Sequence, residues 1–224
     1  MSPTPPISIN DYCRLHGVIR SVLAVGGGSP TKSCIFYALA GAYLLSKHHG
    51  MNAMPAVGGA FVCTGGPREA PQVLNYAKQE DGRWYSDQDA FHAWIQIHTP
   101  AGEWMVDLTA PLYREALIAA GLGEGVEVPR RAFVRSASDM ADDVEDLAAP
   151  GDFLLARSPE HTAWVLSQNG VRPDVGDLID ICAHWYRPWP SEIPASIPIG
   201  STVAASQLAV LSVPKLDGYW GVAS

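Results

Sequence analysis

Two neighbouring stretches of the chain alternate between apolar and polar residues with a period of two. Every second position is apolar in residues 91–98, and the apolar positions of residues 103–109 are Trp104, Val106 and Leu108. Such alternation is typical of β-strands with one buried face. The residues between them, Thr99, Pro100, Ala101 and Gly102, favour a turn. The pattern therefore predicts a β-hairpin.

The predicted hairpin brings one histidine and one aspartate to the same face. Matching the apolar faces of the two strands requires a loop of two or four residues, because side chains alternate strictly between faces. With either loop, His92 and Asp107 lie on the more polar face and close together. A carboxylate that orients an imidazole is one half of a nucleophilic catalytic arrangement. The hairpin therefore raises the question of which residue is the nucleophile.

Other patterns predict the surrounding elements. Ser8 or Asn10 is a candidate cap for a helix that ends near Val25, and residues 33–47 predict a helix that is apolar on every side. Residues 53–64 predict a strand in which Gly58 and Gly59 mark a bulge or a close approach. Further helices are predicted over residues 113–120, 158–168 and 174–186, and residues 71–85 as a strand pair or an irregular excursion. The sheet is expected to be mainly antiparallel.

Composition limits the classes of protein and partner. The chain has 224 residues, 47% of them hydrophobic and 17% charged, with a net charge of −8. We expect one domain over residues 1–224 that neither binds nucleic acid nor enters a membrane. The four cysteines lack the spacing of a zinc site and the density of a disulfide scaffold, so a cytoplasmic protein without a metal or cofactor is expected.

Cys34 is the candidate nucleophile. It stands at the start of the apolar helix, where free backbone N–H groups and the positive end of the helix dipole favour an anion. Lys32 and a protonated His92 would favour the thiolate further, and the Cys34 N–H would stabilise an acyl oxyanion. The alternative is that Cys34 is a small packing residue, but His92 and Asp107 downstream favour the nucleophile.

These residues resemble those of the transglutaminase-like superfamily. The run from Cys34 to Ala53 is similar to the cysteine helix of that family and the turn that follows it. His92-Ala93-Trp94 and Asp107-Leu108-Thr109 are similar to its histidine and aspartate strands. The resemblance covers about residues 30–112, which would form the catalytic core, and residues 121–224 would elaborate it.

The resemblance implies an α+β, papain-like fold in which a cysteine-bearing helix packs on an antiparallel sheet, with extra C-terminal helices. It also implies that Cys34 is the nucleophile, His92 the general base and acid, and Asp107 the residue that orients His92. The expected function is hydrolysis of a peptide or a small amide or acyl substrate through an acyl-thioester. Transfer to an amine is the alternative within the same chemistry.

Two other classes of function remain open at this stage. The fold of an enzyme can persist without activity, so a binding module with an inactive triad is one alternative. Residues 26–33 approximate a phosphate-binding loop, but Thr31 replaces the glycine before the lysine and Pro30 lacks an N–H donor. Trp84, Tyr85 and Trp94 are candidates either for an acyl pocket or for core packing. His48 and His49 are expected at a helix end rather than in a metal site.

Overall fold

The computed structural model describes residues 4–119, 121, 127–170, 172–201 and 204–221. The chain is an α+β protein in which helices pack on a curled antiparallel sheet. Helix α1 spans Ile9–Val25 and helix α2 spans Cys34–His49. The predicted Ser8 cap is present, because its hydroxyl accepts a hydrogen bond from the Asp11 N–H at 3.1 Å. Gly50 ends α2 in a left-handed conformation, with φ of 64°.

The main sheet has six strands. They are β1 (Asn52–Gly65), β2 (Gln72–Asn75), β5 (His92–Thr99), β6 (Gly102–Asp107), β7 (Phe133–Ser136) and β8 (Phe153–Arg157). Hydrogen bonds connect the strands in the sequence β2-β1-β5-β6-β7; β2 and β5 pair with the same edge of β1, and β8 pairs with its opposite edge. All of these pairings are antiparallel. The prediction of a mainly antiparallel sheet is therefore confirmed.

Strands β5 and β2 share one edge of β1. Strand β5 pairs with β1 up to Gly58, which faces His92, whereas β2 pairs with it from Phe61 onward. Gly58 also faces Arg157 of β8, so β8 must occupy the opposite edge. A Cβ at Gly58 would lie 2.0 Å from the Ala156 carbonyl oxygen, which is the close approach that the glycine pair predicted. His92 therefore starts its strand just beyond the end of β2.

The predicted hairpin is formed by β5 and β6. Thr99 pairs with Gly102, so its loop has two residues, one of the two even lengths that the pattern allowed. Ile95 lies opposite Val106 and Ile97 opposite Trp104, all four in the core beneath α2. Asp107 then falls opposite Trp94, one diagonal step from His92. Both side chains lie on the other face of the sheet, as expected.

Each face of the sheet carries a hydrophobic core. The first core joins the inner faces of α1 and α2 to Val57, Ile95 and Val106, and residues 182–186 contribute to it. The second core covers the opposite face and includes Trp94, Met105 and, from later in the chain, Phe133, Phe153 and Trp220. Later segments of the chain thus pack on both faces of the sheet.

The remaining elements lie around this frame. Helix α3 spans Tyr113–Ala119, and position 120, where its predicted end falls, lies outside the described residues. Helices α4 (Pro159–Gly170) and α5 (Pro173–Trp185) match the two predicted later helices within about two residues. Two small hairpins stand apart from the main sheet, β3–β4 (Lys78–Glu80 and Arg83–Tyr85) and β9–β10 (Ser196–Ser201 and Ala204–Val210). Across the described ranges, none of the helices combines the length and apolar character that a membrane span requires.

Candidate active site

Three element ends meet at one small cavity. Cys34 is the first residue of α2, His92 the first residue of β5, and Asp107 the last residue of β6. Cys34 is half-buried and lines the cavity together with His92, which is 3% exposed. Asp107, 2% exposed, lies behind the histidine ring. The cavity is small, with a volume of about 30 Å³, and is large enough to admit water.

His92 and Asp107 form a buried ion pair. The Nε2 atom of His92 lies 2.6 Å from Oδ2 of Asp107. Burial by itself lowers the pKa of His92, but the Asp107 carboxylate and, to a smaller extent, the nearby Cys34 outweigh burial and raise that pKa above its usual value. Burial would raise the pKa of Asp107, yet His92 holds it below its usual value. Because Nε2 is bound to Asp107, Nδ1 is the ring nitrogen left for the Cys34 thiol.

Four hydrogen bonds hold the Asp107 carboxylate. Thr109 donates to Oδ1 twice, from its backbone N–H at 2.7 Å and from its hydroxyl at 2.6 Å. Tyr113 donates its hydroxyl to Oδ2 at 2.6 Å, the oxygen that also contacts His92. An Asp followed two residues later by a threonine is a local turn pattern that the sequence displays. No sequence pattern pointed to Tyr113. Its hydroxyl reaches Asp107 because a 3₁₀ turn at Ala110–Leu112 reverses the chain between the two residues.

Tyr76 covers one face of the His92 imidazole. Its ring stacks on His92 with centroids 4.5 Å apart and planes inclined by 18°. The residue follows β2 directly, and its N–H donates to the Ala60 carbonyl at 2.9 Å. Burial and, next to it, the negative charge of Asp107 raise the pKa of Tyr76, so its phenol stays protonated. The sequence patterns did not identify Tyr76, since residues 71–85 had no definite assignment.

Helix α1 holds the backbone next to Asp107. The Tyr12 hydroxyl donates to the Asp107 carbonyl, and one turn later Nδ1 of His16 donates to the Leu108 carbonyl at 2.7 Å. His16 also stacks on Tyr37 of α2, with ring centroids 5.5 Å apart. Because Tyr37 lies one turn after Cys34, α1 connects the aspartate strand to the cysteine helix. Neither Tyr12 nor His16 was among the residues that sequence patterns identified.

The His16 side chain gives a testable pH dependence. Burial lowers the pKa of His16 from its usual 6.5 to about 4. Between these values the unfolded chain binds a proton that the folded chain does not, so this residue makes the protein less stable as pH falls from about 6.5 to 4. The loss is about 3 kcal/mol in the free energy of unfolding. His92 has the opposite sign, because its raised pKa stabilises the fold at low pH.

His16→Asn isolates this contribution, because an asparagine keeps a donor near Leu108 and does not titrate. We expect the free energy of unfolding, measured by urea denaturation between pH 4 and 7, to fall less steeply with acid in the variant than in the wild type. Parallel curves would show that His16 does not remain neutral in the folded protein.

The other three cysteines are in environments that suppress ionisation. Burial raises the pKa of Cys13 to about 11 and also raises the pKa values of Cys63 and Cys182. None of the three lines the cavity that contains His92. All four cysteines are free thiols. Cys34 is therefore the thiol that combines a helix N-terminus with an adjacent imidazole.

The remaining candidate residues occupy other places. Trp94 is 1% exposed and belongs to the second core, so the acyl-pocket interpretation is wrong for this residue. Trp84 and Tyr85 line a separate cavity. His48 and His49 bond to the Ala183 carbonyl and the Tyr186 hydroxyl, and among the described residues no group of three or more His, Cys, Asp or Glu side chains is placed to hold a metal ion.

Residues 26–33 have a structure unlike a phosphate-binding loop. The N–H groups of Gly26, Gly27 and Gly28 donate to carbonyls in the last turn of α1, and the Lys32 N–H donates to Ser29. Pro30 has no N–H. A phosphate cradle requires several of these donors to be free and convergent. We therefore expect calorimetry with ATP and magnesium to detect no saturable binding, and binding that is lost in Lys32→Ala would contradict this.

Comparisons with known proteins identify the family but not a chemistry. A family model described as "Protein of unknown function (DUF2026)" matches residues 8–220. A crystal structure of a genomics target superposes with a TM-score of 0.81 at 27% sequence identity, covering 97% of this chain and 98% of that chain. No curated protein matches the chain. The fold is therefore shared over nearly its whole length, and the chemistry has to be argued from the site.

Proposed function

The chain belongs to the DUF2026 family, and we propose that it is a cysteine enzyme that forms an acyl-thioester on Cys34 and hydrolyses an amide or peptide bond. The observation that carries the proposal is the buried His92–Asp107 pair, 2.6 Å apart, beside a half-buried thiol at a helix N-terminus. Burying an ion pair costs free energy, and apolar residues could fill the same space without that cost. A function for the pair explains why that cost is present next to Cys34.

The wider fold supports a papain-like, transglutaminase-like core. In such a core a cysteine-bearing helix packs on an antiparallel sheet whose next strands carry the histidine and the aspartate. Here α2 packs on β1 and β5, and β5 and β6 are adjacent. The chain order is Cys34, His92 and Asp107, which matches the resemblance in the sequence.

Acylation follows from the charges of the site. The Cys34 thiolate attacks the substrate carbonyl carbon, and the carbonyl π electrons move to oxygen. Backbone N–H groups in the first turn of α2, which have no partner within the helix, stabilise that oxyanion. When the oxyanion collapses, the C–N bond breaks, and the His92 imidazolium gives its Nδ1 proton to the leaving amine. Asp107 holds the ring in place throughout.

Deacylation by water fits the dimensions of the cavity. His92, now neutral, accepts a proton from a water molecule whose oxygen attacks the thioester carbonyl. Collapse of this second intermediate breaks the C–S bond, releases a carboxylic acid and restores the thiolate–imidazolium pair. The cavity beside Cys34 and His92 is large enough to hold a water molecule, so hydrolysis is the default form of this proposal. In the acyltransferase alternative, an amine takes the place of that water.

Intact-protein mass spectrometry tests the proposal. The protein is incubated with activated acyl esters and peptide anilides, with and without a primary amine. We expect a transient acyl adduct on the wild type, none on Cys34→Ala, and an unchanged adduct on Cys13→Ala, a control because Cys13 is also a half-buried thiol. Release as free acid indicates hydrolysis, release as amide indicates the acyltransferase alternative, and absence of any adduct would favour a non-catalytic binding module.

A further inference from the structure

A second cavity, of about 280 Å³, lies on the α2 side of the sheet. Its floor is made of residues with little or no side chain, Gly59, Ala77 and Ala156. Its walls are aromatic, and two serines also line it. We call this cavity the aromatic subsite, and the remaining residues that line it are Phe61, Trp84, Tyr85, Ser86 and Ser158.

The β3–β4 hairpin supplies the aromatic wall. Asp81 and Gly82 form its two-residue turn, with φ of 49° and 74°, the left-handed values that such turns require. At the base of the hairpin, Nζ of Lys78 forms a salt bridge with Oδ2 of Asp87 at 2.6 Å. Trp84 meets the edge of Phe61 with ring centroids 5.0 Å apart, yet 36% of Trp84 and 41% of Tyr85 stay exposed. Large aromatic surface is thus left facing a cavity rather than buried in a core.

The aromatic subsite is a separate cavity, but two of its floor residues are chain neighbours of residues that contact His92. Gly59 follows Gly58, which pairs with the His92 backbone, and Ala77 follows Tyr76, which stacks on the His92 ring. Consecutive Cα atoms are about 3.8 Å apart, so the backbone connects the two cavities over a short distance. The side chain of Phe61 points to the same face of β1 as Val57, which packs in the core beneath α2.

The lengths of α2 and β1 place Cys34 near the same floor. The two elements run antiparallel through the turn at Gly50, and Ser46 in the last turns of α2 donates to the Ala53 carbonyl. Sixteen helical residues span about 24 Å, which is about seven residues of strand. Counting from Asn52, the start of α2 therefore lies over Gly58 and Gly59. This count places Cys34 near the floor of the aromatic subsite.

The lining selects an uncharged group. None of the described residues that line the subsite is an acidic residue, a lysine, an arginine or a histidine. Aromatic walls above a glycine and alanine floor fit a flat ring or a large aliphatic side chain. We propose, resting on the proposed function, that the aromatic subsite binds an aromatic or large aliphatic side chain of the acyl donor and so selects the substrate.

Paired affinity labels test this selection. N-acetylphenylalanine chloromethyl ketone and its glycine counterpart present the same electrophile to Cys34, whose thiolate displaces chloride and forms a C–S bond. Burying a phenyl group in a hydrophobic pocket accelerates such a reaction by at least about tenfold. We expect that preference in the second-order labelling rates of the wild type, measured by site-resolved mass spectrometry.

Three variants connect the preference to the subsite. Trp84→Ala removes a wall and is expected to reduce the phenylalanine preference to about twofold or less. Gly59→Ala places a methyl 3.4 Å from the Ala77 Cβ, an ordinary contact, so it fills the floor without a clash and also lowers the preference. Trp164→Ala, at an exposed tryptophan on α4, is the matched control and should keep it.

The outcomes separate this proposal from the proposed function. Equal labelling by the two ketones, with rapid reaction of Cys34 toward iodoacetamide, would overturn the subsite and leave the nucleophile intact. If Cys34 reacts with none of the reagents, the proposed function fails, and the subsite is then judged by binding of N-acetylphenylalaninamide to Cys34→Ala, followed by tryptophan fluorescence. Saturable binding that is lost in Trp84→Ala supports the subsite, and its absence overturns it.

Discussion

Iodoacetamide at pH 6 is expected to alkylate Cys34 at least about 100-fold faster than Cys13, Cys63 or Cys182. An unperturbed thiol with a pKa of about 8.5 is almost wholly protonated at pH 6, and protonated thiols do not react. Burial raises the pKa values of the other three cysteines further still. Cys34 instead lies at the N-terminus of α2 and beside His92, the kind of environment in which cysteines react as thiolates. Peptide mapping of briefly labelled native protein measures the four rates.

The contribution of the imidazole is separable from that of the helix. His92→Gln is expected to slow the labelling of Cys34 at pH 6 by at least about tenfold, because the thiolate then loses its positively charged neighbour. His98→Gln is the matched control, since His98 lies on the same strand but pairs with Glu103, far from the cavity. Labelling of Cys34 no faster than that of the other cysteines in folded protein would refute the nucleophile assignment.

Asp107→Asn is expected to lower the rate of Cys34 acylation by about 10³- to 10⁴-fold. The amide preserves the shape of the carboxylate but removes the charge that raises the pKa of His92 and the acceptor that fixes its tautomer. Burial then acts on His92 without opposition, and the imidazolium that supports the thiolate becomes scarce. The rate is read from the adduct that an activated ester forms, by intact-protein mass spectrometry.

The same variant carries a second signature, in its pH profile. Labelling of Cys34 by iodoacetamide should move to higher pH in Asp107→Asn, because the thiolate no longer has a stable cationic partner in mild acid. Asp180→Asn, at an exposed position of α5, should leave both measurements unchanged. If Asp107→Asn keeps the wild-type rate and profile, Asp107 is not part of the mechanism, and Cys34 and His92 act as a dyad at most.

Local sequence patterns determined the frame of the candidate site. Alternation with a period of two predicted the β5–β6 hairpin. Because side chains alternate between the two faces, the loop must contain an even number of residues, and this puts His92 and Asp107 on one face. A serine before a helical pattern predicted the cap of α1, and an all-apolar helix predicted that α2 would be buried. These features depend on residues only a few positions apart, so they can be predicted before any tertiary contact is known.

Only the tertiary structure decided what surrounds that frame. Trp94 shares the face of His92 and was a candidate for an acyl pocket, but Phe133, Phe153 and Trp220, from much later in the chain, cover it with a second core. Tyr76 lies against His92 because β2 and β5 pair with successive parts of the same edge of β1, and their ends meet beside Gly58.

Tyr12 and His16 bond to carbonyls more than 90 positions away. Such contacts depend on strand order and on helix packing, which no local period encodes, because the energy that fixes them comes from burial between distant segments. The hairpin and the His92–Asp107 pair were therefore predictable from the sequence, whereas the groups that hold and cover them were not.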